Sequence, residues 1–181
     1  AAALASVRHV SAHPELRVRH QERAATQKRR LAAAGLPVLR TREPGGAPGA
    51  ERIRELLLSP GSWDSLTEAM LHFAARRELV VRSIRPMLEA GAWVICDRFA
   101  DSTLAYQGAG QGLAYETWAR LCDLTLEGLK PDWTLILDLP VEAGLARAAG
   151  RSAADRYEKL GADFHARIRA GFQDIARRDA A

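Results

Sequence analysis

Cysteine is scarce in this chain of 181 residues, with only Cys96 and Cys122. Their separation matches no metal-ligand spacing, which leaves no thiolate zinc site. The pair reads as reduced thiols of a cytoplasmic protein. Long hydrophobic runs are missing too: none approaches the ~20 residues of a membrane span. The opening Ala1-Ala2-Ala3-Leu4-Ala5 is too short for a signal peptide and lacks its basic start. Aromatic residues make up 6% of the chain, and they are not interleaved with basic residues as on a single-strand-binding surface, so nucleic acid is not the expected partner. The histidines (His9, His13, His20, His72 and His165) show no metal spacing. Lysine is nearly absent: Lys28, Lys130 and Lys159 stand among 26 basic residues.

What is present is ordinary for a globular protein, 48% hydrophobic and 27% charged. The length suits one domain, 1–181, with a real core. The net charge of +4 reads first as a solvated surface and second as an attraction for phosphates. Arginine in place of lysine suits bidentate phosphate recognition, although a GC-rich genome produces the same bias.

Hydrophobic periodicity alternates between strands and helices. Residues 1–21 show no clear period, and Ser6-Val7-Arg8-His9-Val10 alternates weakly as a strand candidate. Glu22 to Ala34 reads as a helix stopped by Gly35. Leu36 to Thr41 reads as a strand, Arg42 to Gly49 as a turn-rich loop, and Glu51 to Leu58 as a short helix. A long helix is expected from Ser65 to Ala90, with an apolar stripe of Leu66, Met70, Phe73, Ala74, Val81, Ile84 and Leu88, and Arg77 on the same stripe. Strand Trp93–Cys96, helix Tyr115–Glu127, strand Trp133–Leu139 and helices from Val141 and from Ala154 to Arg177 follow. Strands separated by helices predict an α/β fold with a parallel sheet flanked by helices.

The stretch from Asp97 to Gly108 carries the most chemistry. It leaves the end of an apolar strand, where ligands bind in open α/β sheets. It delivers Asp97, Arg98, Ser102, Thr103, Tyr106 and Gln107 together. Charged groups there are rarely buried without partners. From residue type alone, the alternatives are a structural ion pair for Asp97-Arg98, core packing for Phe73, and a salt bridge to a neighbouring helix for Arg77. Gly108-Ala109-Gly110-Gln111-Gly112 looks like a phosphate loop, but no strand directly precedes it and no Lys-Ser/Thr follows. It reads instead as a turn needing positive φ.

Four segments resemble a known family. Thr41-Arg42-Glu43-Pro44-Gly45-Gly46 is similar to the TREPGG signature of bacterial thymidylate kinases. Leu71 to Arg77 resembles their LLFAADR helix, and Asp97 to Gly112 their DRYxDSTLAYQGAGRGL block. Asp155-Arg156-Tyr157-Glu158 resembles the DRFE element after their lid. Order and spacing agree over roughly residues 22–179, whereas residues 1–21 are not family-like. The resemblance implies a P-loop nucleoside monophosphate kinase fold with a small helical lid near residues 144–156. It implies phosphoryl transfer from ATP, with Mg²⁺, to thymidine monophosphate (dTMP) in a cytoplasmic homodimer. Phe73 would stack on the thymine and Arg77 would bond its edge. Arg98 would hold the acceptor phosphate, and Asp97 would sit near Mg²⁺ and the phosphates. Ser102, Thr103, Tyr106 and Gln107 would line the nucleoside pocket, closed by the Glu43-Pro44 turn. Arg147, Arg151 and Arg156 would be lid arginines, with Asp155 and Glu158 as lid anchors or helix-start charges.

The chain departs from the family in one respect. A G-x-x-x-x-G-K-[ST] loop, whose backbone cradles ATP phosphates and whose hydroxyl ligates Mg²⁺, occurs nowhere in the 181 residues. Arg23, Ala24 and Ala25 stand where Gly, Lys and Ser/Thr are expected, and the chain ends short of a further strand and helix. The central first strand of the sheet is therefore uncertain, with Val7–Val10 as its candidate. A degenerate relative, a changed reading frame ahead of Thr26, and a donor site built from other residues remain as explanations. Impaired transfer or a non-catalytic dTMP-binding relative is the expectation.

Overall fold

Pro37 stands immediately before the first strand, where a residue without an N–H costs no ladder bond. In the computed structural model, which describes Gly35, residues 37–59, 61–149, Tyr157 and residues 160–178, strand β1 spans Val38–Arg42. Strand β2, Trp93–Asp97, pairs with it in parallel, with Val38 opposite Trp93 and Arg42 opposite Asp97. The parallel α/β arrangement expected from the alternating pattern is present. The expected strand Ser6–Val10, helix Glu22–Ala34 and lid segment 151–156 lie outside the described residues.

Trp133 to Leu139 runs without a ladder partner among the described residues, contrary to the expected third strand. Its alternating side chains are bare: Trp133 is 91% exposed and Leu135 78%. Trp93 and Ile95 of β2 are also about half exposed. An alternating sequence becomes a strand only when a neighbour accepts its backbone bonds, and alternation cannot supply that neighbour.

Helix α1, Pro48–Leu58, starts on a proline at its first turn, where the missing N–H is harmless. Helix α2, Ser65–Leu79, is capped by Asp64, whose carboxylate accepts from Leu66 N at 3.0 Å and Thr67 N at 3.1 Å. Hydrogen bonds from the Thr67 side chain and backbone, with that from Leu66 N, pull the Asp64 pKa below its ordinary value. The expected long helix continues through a π-helical turn, Val80–Ile84, into α3, Arg85–Glu89. The wide turn stands just before Pro86, which has no N–H for the carbonyl four residues back and whose ring would press on it.

The expected apolar stripe splits in two. Phe73 and Ile84 are buried, joined by Leu79 and Val80 from outside the stripe, while Leu66, Met70, Ala74, Val81 and Leu88 face outward. Leu79, Val80 and Ile84 pack with Ala47, Ala50, Ala75, Ala100 and Leu126 into the main core, which joins α1, α2 and the carboxyl end of α5, Tyr115–Leu126.

After β2 the chain forms one turn of α-helix, α4, Ala100–Thr103, and then a π-helical segment, Leu104–Gly110. Helix α6 spans Val141–Ala149 and helix α7 Ala162–Arg178. Helix α7 packs closely on the π segment through small residues. A Cβ on Gly171 would lie 2.7 Å from the Ala109 Cβ, and one on Gly110 would lie 2.8 Å from the Phe164 ring. Gly110 of the glycine-rich stretch 108–112 is thus a contact surface, and Gly112, at φ 84°, makes the turn. Among the described residues no helix is long and apolar enough to cross a membrane.

Candidate active site

The loop after β1 is braced from α1. Glu51 accepts from Gly46 N at 2.7 Å and from Arg42 at 3.1 Å, and Arg54 donates to the Pro44 carbonyl at 2.9 Å. Gly46, at φ 81°, allows the loop to close: a Cβ there would fall 2.1 Å from Thr41 Oγ1. This bracing turns Glu43 inward, where it is 5% exposed. The Glu43–Pro44 peptide is cis.

Inside, Glu43 meets Arg76 of α2. Arg76 Nε donates to Glu43 Oε2 at 2.8 Å, and Arg76 Nη2 lies 2.7 Å from the same oxygen. Nη2 also donates to Thr103 Oγ1 at 3.0 Å and to the Phe99 carbonyl at 3.2 Å. The guanidinium lies over the Phe73 ring, 4.4 Å from its centroid. Burial raises the Glu43 pKa above its ordinary value, and Arg76 only partly opposes this. Three buried polar atoms at this wall have no hydrogen-bond partner among the described residues: Glu43 Oε1, Arg76 Nη1 and Gln107 Nε2. A buried polar atom left bare is costly, and binding sites are where such atoms await a ligand.

These groups line a cleft of about 210 Å³. Glu43, Pro44, Arg98, Ser102, Thr103, Tyr106 and Gln107, all expected from sequence, meet there with Arg54, His72, Arg76, Tyr157 and His165. The short α4 and the π segment carry four of them. A π turn spaces its residues more widely than an α-helix and is frequent at functional sites. Arg98 lies just past β2 with φ 68°, a left-handed conformation unusual for a non-glycine residue. Its guanidinium stacks on Tyr106. Tyr157 bonds to the buried Glu68 and lies 3.2 Å from His72 Nε2, and its ring meets Tyr106 edge-on at 5.4 Å.

Other expected residues stand elsewhere. Arg77 turns away from the cleft: it donates to the Thr125 carbonyl at 3.0 Å and pairs with Glu127 at 3.0 Å, tying α2 to α5. The structure gives it the salt bridge to a neighbouring helix. Phe73 is 1% exposed and lies beneath Arg76. Asp97 is exposed at the end of β2, where its carbonyl accepts from Glu43 N at 2.9 Å. The side chain of Arg147, and Arg151, Asp155, Arg156 and Glu158, lie outside the described residues. Sequence reading missed Arg76, although it stands three residues from Phe73, a helical spacing that shares one face.

A second cavity, of about 280 Å³, lies between residues 136–141 and α7 and shares Tyr106 and His165 with the first. Arg169 grips Asp138 with two bonds, 2.6 and 2.8 Å, and Gln173 adds a third at 3.1 Å. These bonds hold the Asp138 carboxyl below its usual range. No group of three metal-ligating side chains occurs among the described residues. Asp97 offers one carboxylate, which suits a magnesium ion that arrives on nucleotide phosphates rather than one caged by protein.

The thymidylate kinase family model matches residues 23–181. The chain is similar to the thymidylate kinase of Caulobacter vibrioides, 54% identical over 161 residues that cover 86% of this chain and 77% of that protein. A thymidylate kinase of Pseudomonas fluorescens Pf-5 is 53% identical over 154 residues, covering 84% and 72%. Among solved structures, the thymidylate kinase from Ehrlichia chaffeensis matches with a TM-score of 0.64 at 38% identity, over 79% of this chain. The chain spans 65% of the length of that structure.

Proposed function

The chain belongs to the thymidylate kinase family, and on that footing we propose that its cleft is the acceptor site for transfer of the ATP γ-phosphoryl group to dTMP, giving the diphosphate. The observation that carries this reading is the pairing of chemistries on one cleft wall. Arg98 supplies a fixed guanidinium for a phosphate, while Arg76 Nη1 and Gln107 Nε2 are donors with no partner among the described residues. A nucleotide whose base edge carries carbonyl oxygens satisfies both. Phosphoryl transfer asks little covalent help of a protein. It asks for aligned phosphates and neutralised charge on the transferring oxygens, and a planar guanidinium is suited to both.

In this reading Phe73 supports the base wall from beneath Arg76. Ser102, Thr103 and Tyr106 line the nucleoside side, and Glu43-Pro44 closes the cleft. Arg147, Arg151 and Arg156, with Asp155 and Glu158, supply the lid, and magnesium enters with ATP near Asp97. In this reading the reaction takes place in the cytoplasm. The outward apolar face of α2 and α3, formed by Leu66, Met70, Val81 and Leu88, supports a homodimer.

The absence of a Walker A loop from the 181 residues favours a second reading, in which this chain binds dTMP with little or no turnover. Calorimetric titration with dTMP, together with a coupled assay of ADP release, tests both. Binding without appreciable turnover is the expected result. Ordinary turnover would remove the account of the donor side, and absence of dTMP binding would remove the acceptor site.

A further inference from the structure

Arg76 is held on three sides. Glu43 Oε2 takes Nε and Nη2, Thr103 and the Phe99 carbonyl take Nη2 again, and the Phe73 ring lies beneath the plane. Only Nη1 is left without a partner among the described residues. The pair is deeply buried, with side chains 2% and 4% exposed, so water cannot easily replace a lost bond. A guanidinium has no acceptor atom, so a group opposite Nη1 must be an acceptor.

From this geometry we propose that Glu43 is a positioning residue that sets base selectivity by locking Arg76, so that a carbonyl is accepted and an amino group refused. The inference rests on the assignment of this cleft to the nucleotide base. An arginine free to rotate could turn aside from an amino group or reach toward the phosphate. One clamped at Nε and Nη2 can do neither, so an amino-bearing base leaves Nη1 buried and unpaired. A site built to donate to a substrate oxygen rejects the analogue lacking it far more strongly than a flexible site does.

The loop that carries Glu43 is braced by Glu51 and Arg54. That bracing prevents the carboxylate from following Arg76 if the arginine swings. The carboxyl, raised in pKa by burial, is costly to maintain there. A positional requirement at Arg76 explains why the cost is tolerated at the mouth of a cleft.

The test is calorimetric titration of dTMP and dCMP into the wild-type chain, Glu43→Gln, Arg76→Met and the double variant. The wild-type chain is expected to favour dTMP strongly. Glu43→Gln should lose roughly tenfold in dTMP affinity and most of the preference over dCMP, since a neutral partner holds a guanidinium less firmly. In the Arg76→Met background the Glu43 change should alter neither quantity, because a positioning residue acts only through the group it positions. Thermal melting confirms folding. If Glu43→Gln does not fold, Thr103→Val removes the second clamp and should erode the same preference. Unchanged affinity and preference in a folded Glu43 or Thr103 variant would overturn the inference. So would an equal loss with and without Arg76. Failure of the wild-type chain to bind dTMP would instead sink the base-site assignment, and the inference with it.

Discussion

Arg98 lies over the ring of Tyr106, 5.1 Å from guanidinium carbon to centroid, and its Nη2 is 3.4 Å from the phenol oxygen. The backbone of Arg98 is held in a left-handed conformation at the end of β2, so stack and strain together aim one charge at the cleft. Conformations of this kind persist where the surroundings over-determine them. Replacing Arg98 by Ala is expected to weaken dTMP binding about 10- to 100-fold, the range for a charge-assisted hydrogen bond. Thymidine, which lacks the phosphate, should bind both forms alike. Equal losses for the two ligands, measured by calorimetry, would refute the phosphate role.

Phe73 and Arg77 separate core from surface on one helix. Phe73 is fully enclosed and carries Arg76 on its face. Its replacement by Ala should cost about 3–5 kcal/mol in urea unfolding, through lost burial and a cavity. Arg77→Ala should cost no more than about 1 kcal/mol, because its pair with Glu127 is half exposed. dTMP affinity should survive the Arg77 change. A marked loss of affinity there would return Arg77 to the base site.

That contrast shows where sequence reading stops. The strands β1 and β2, helices α1, α2, α5 and α6, most of α7 and the polar cluster at residues 97–107 were legible, because apolar period and strand-end chemistry are local. Which of two adjacent arginines enters the cleft was not, since one residue on a helix is a rotation of ~100° and only the packed neighbour Glu43, 33 positions away, decides it. The π-helical turns were hidden because composition does not encode one extra residue in a turn. The segment Trp133–Leu139 misled for a different reason: alternation describes half of a strand, and its ladder partner supplies the rest.

Asp138 gives the fold an acid-sensitive contact. The bonds from Arg169 hold its carboxyl below the ordinary 3.8. A carboxyl that ionises more readily in the fold than in the unfolded chain adds stability above the unfolded value. That stability is lost as pH falls through the folded one. Asp138→Asn keeps the shape and removes the titration. At neutral pH the variant should be less stable by under about 1 kcal/mol, as expected for a partly solvated pair. Below about pH 4 the gap should close. A gap that widens in acid would show that the pair does not behave this way.

The outward face of Leu66, Met70, Val81 and Leu88 is regular enough to be an interface, and exposed apolar patches of this kind commonly mark contacts. Met70→Glu with Val81→Glu should convert a dimer to a monomer in sedimentation velocity. Neither side chain lines the dTMP cleft, so affinity per chain should change less than about twofold, as for additive, distant sites. A wild-type chain that sediments as a monomer at micromolar concentration would remove the dimer.

Cys96 and Cys122 should be nearly inert while the chain is folded. Burial pushes both thiols up to about 12, with nearby Glu43 adding to the effect at Cys96. Only the thiolate attacks a disulfide reagent. At pH 8 a thiol with such a pKa is ionised in on the order of one molecule in ten thousand, far less than an ordinary cysteine. Cys96 has a further restraint, since its thiol donates to the Arg98 carbonyl at 3.1 Å. Labelling with an aromatic disulfide should therefore be slow in buffer and should yield two rapid equivalents in urea. dTMP binding should leave the slow rate unchanged or lower it, because a ligand held by Arg98 stabilises the turn that covers Cys96. Rapid reaction of either thiol in the folded chain would show that the strand end opens on the labelling timescale, and the fixed placement of Arg98 would fail with it.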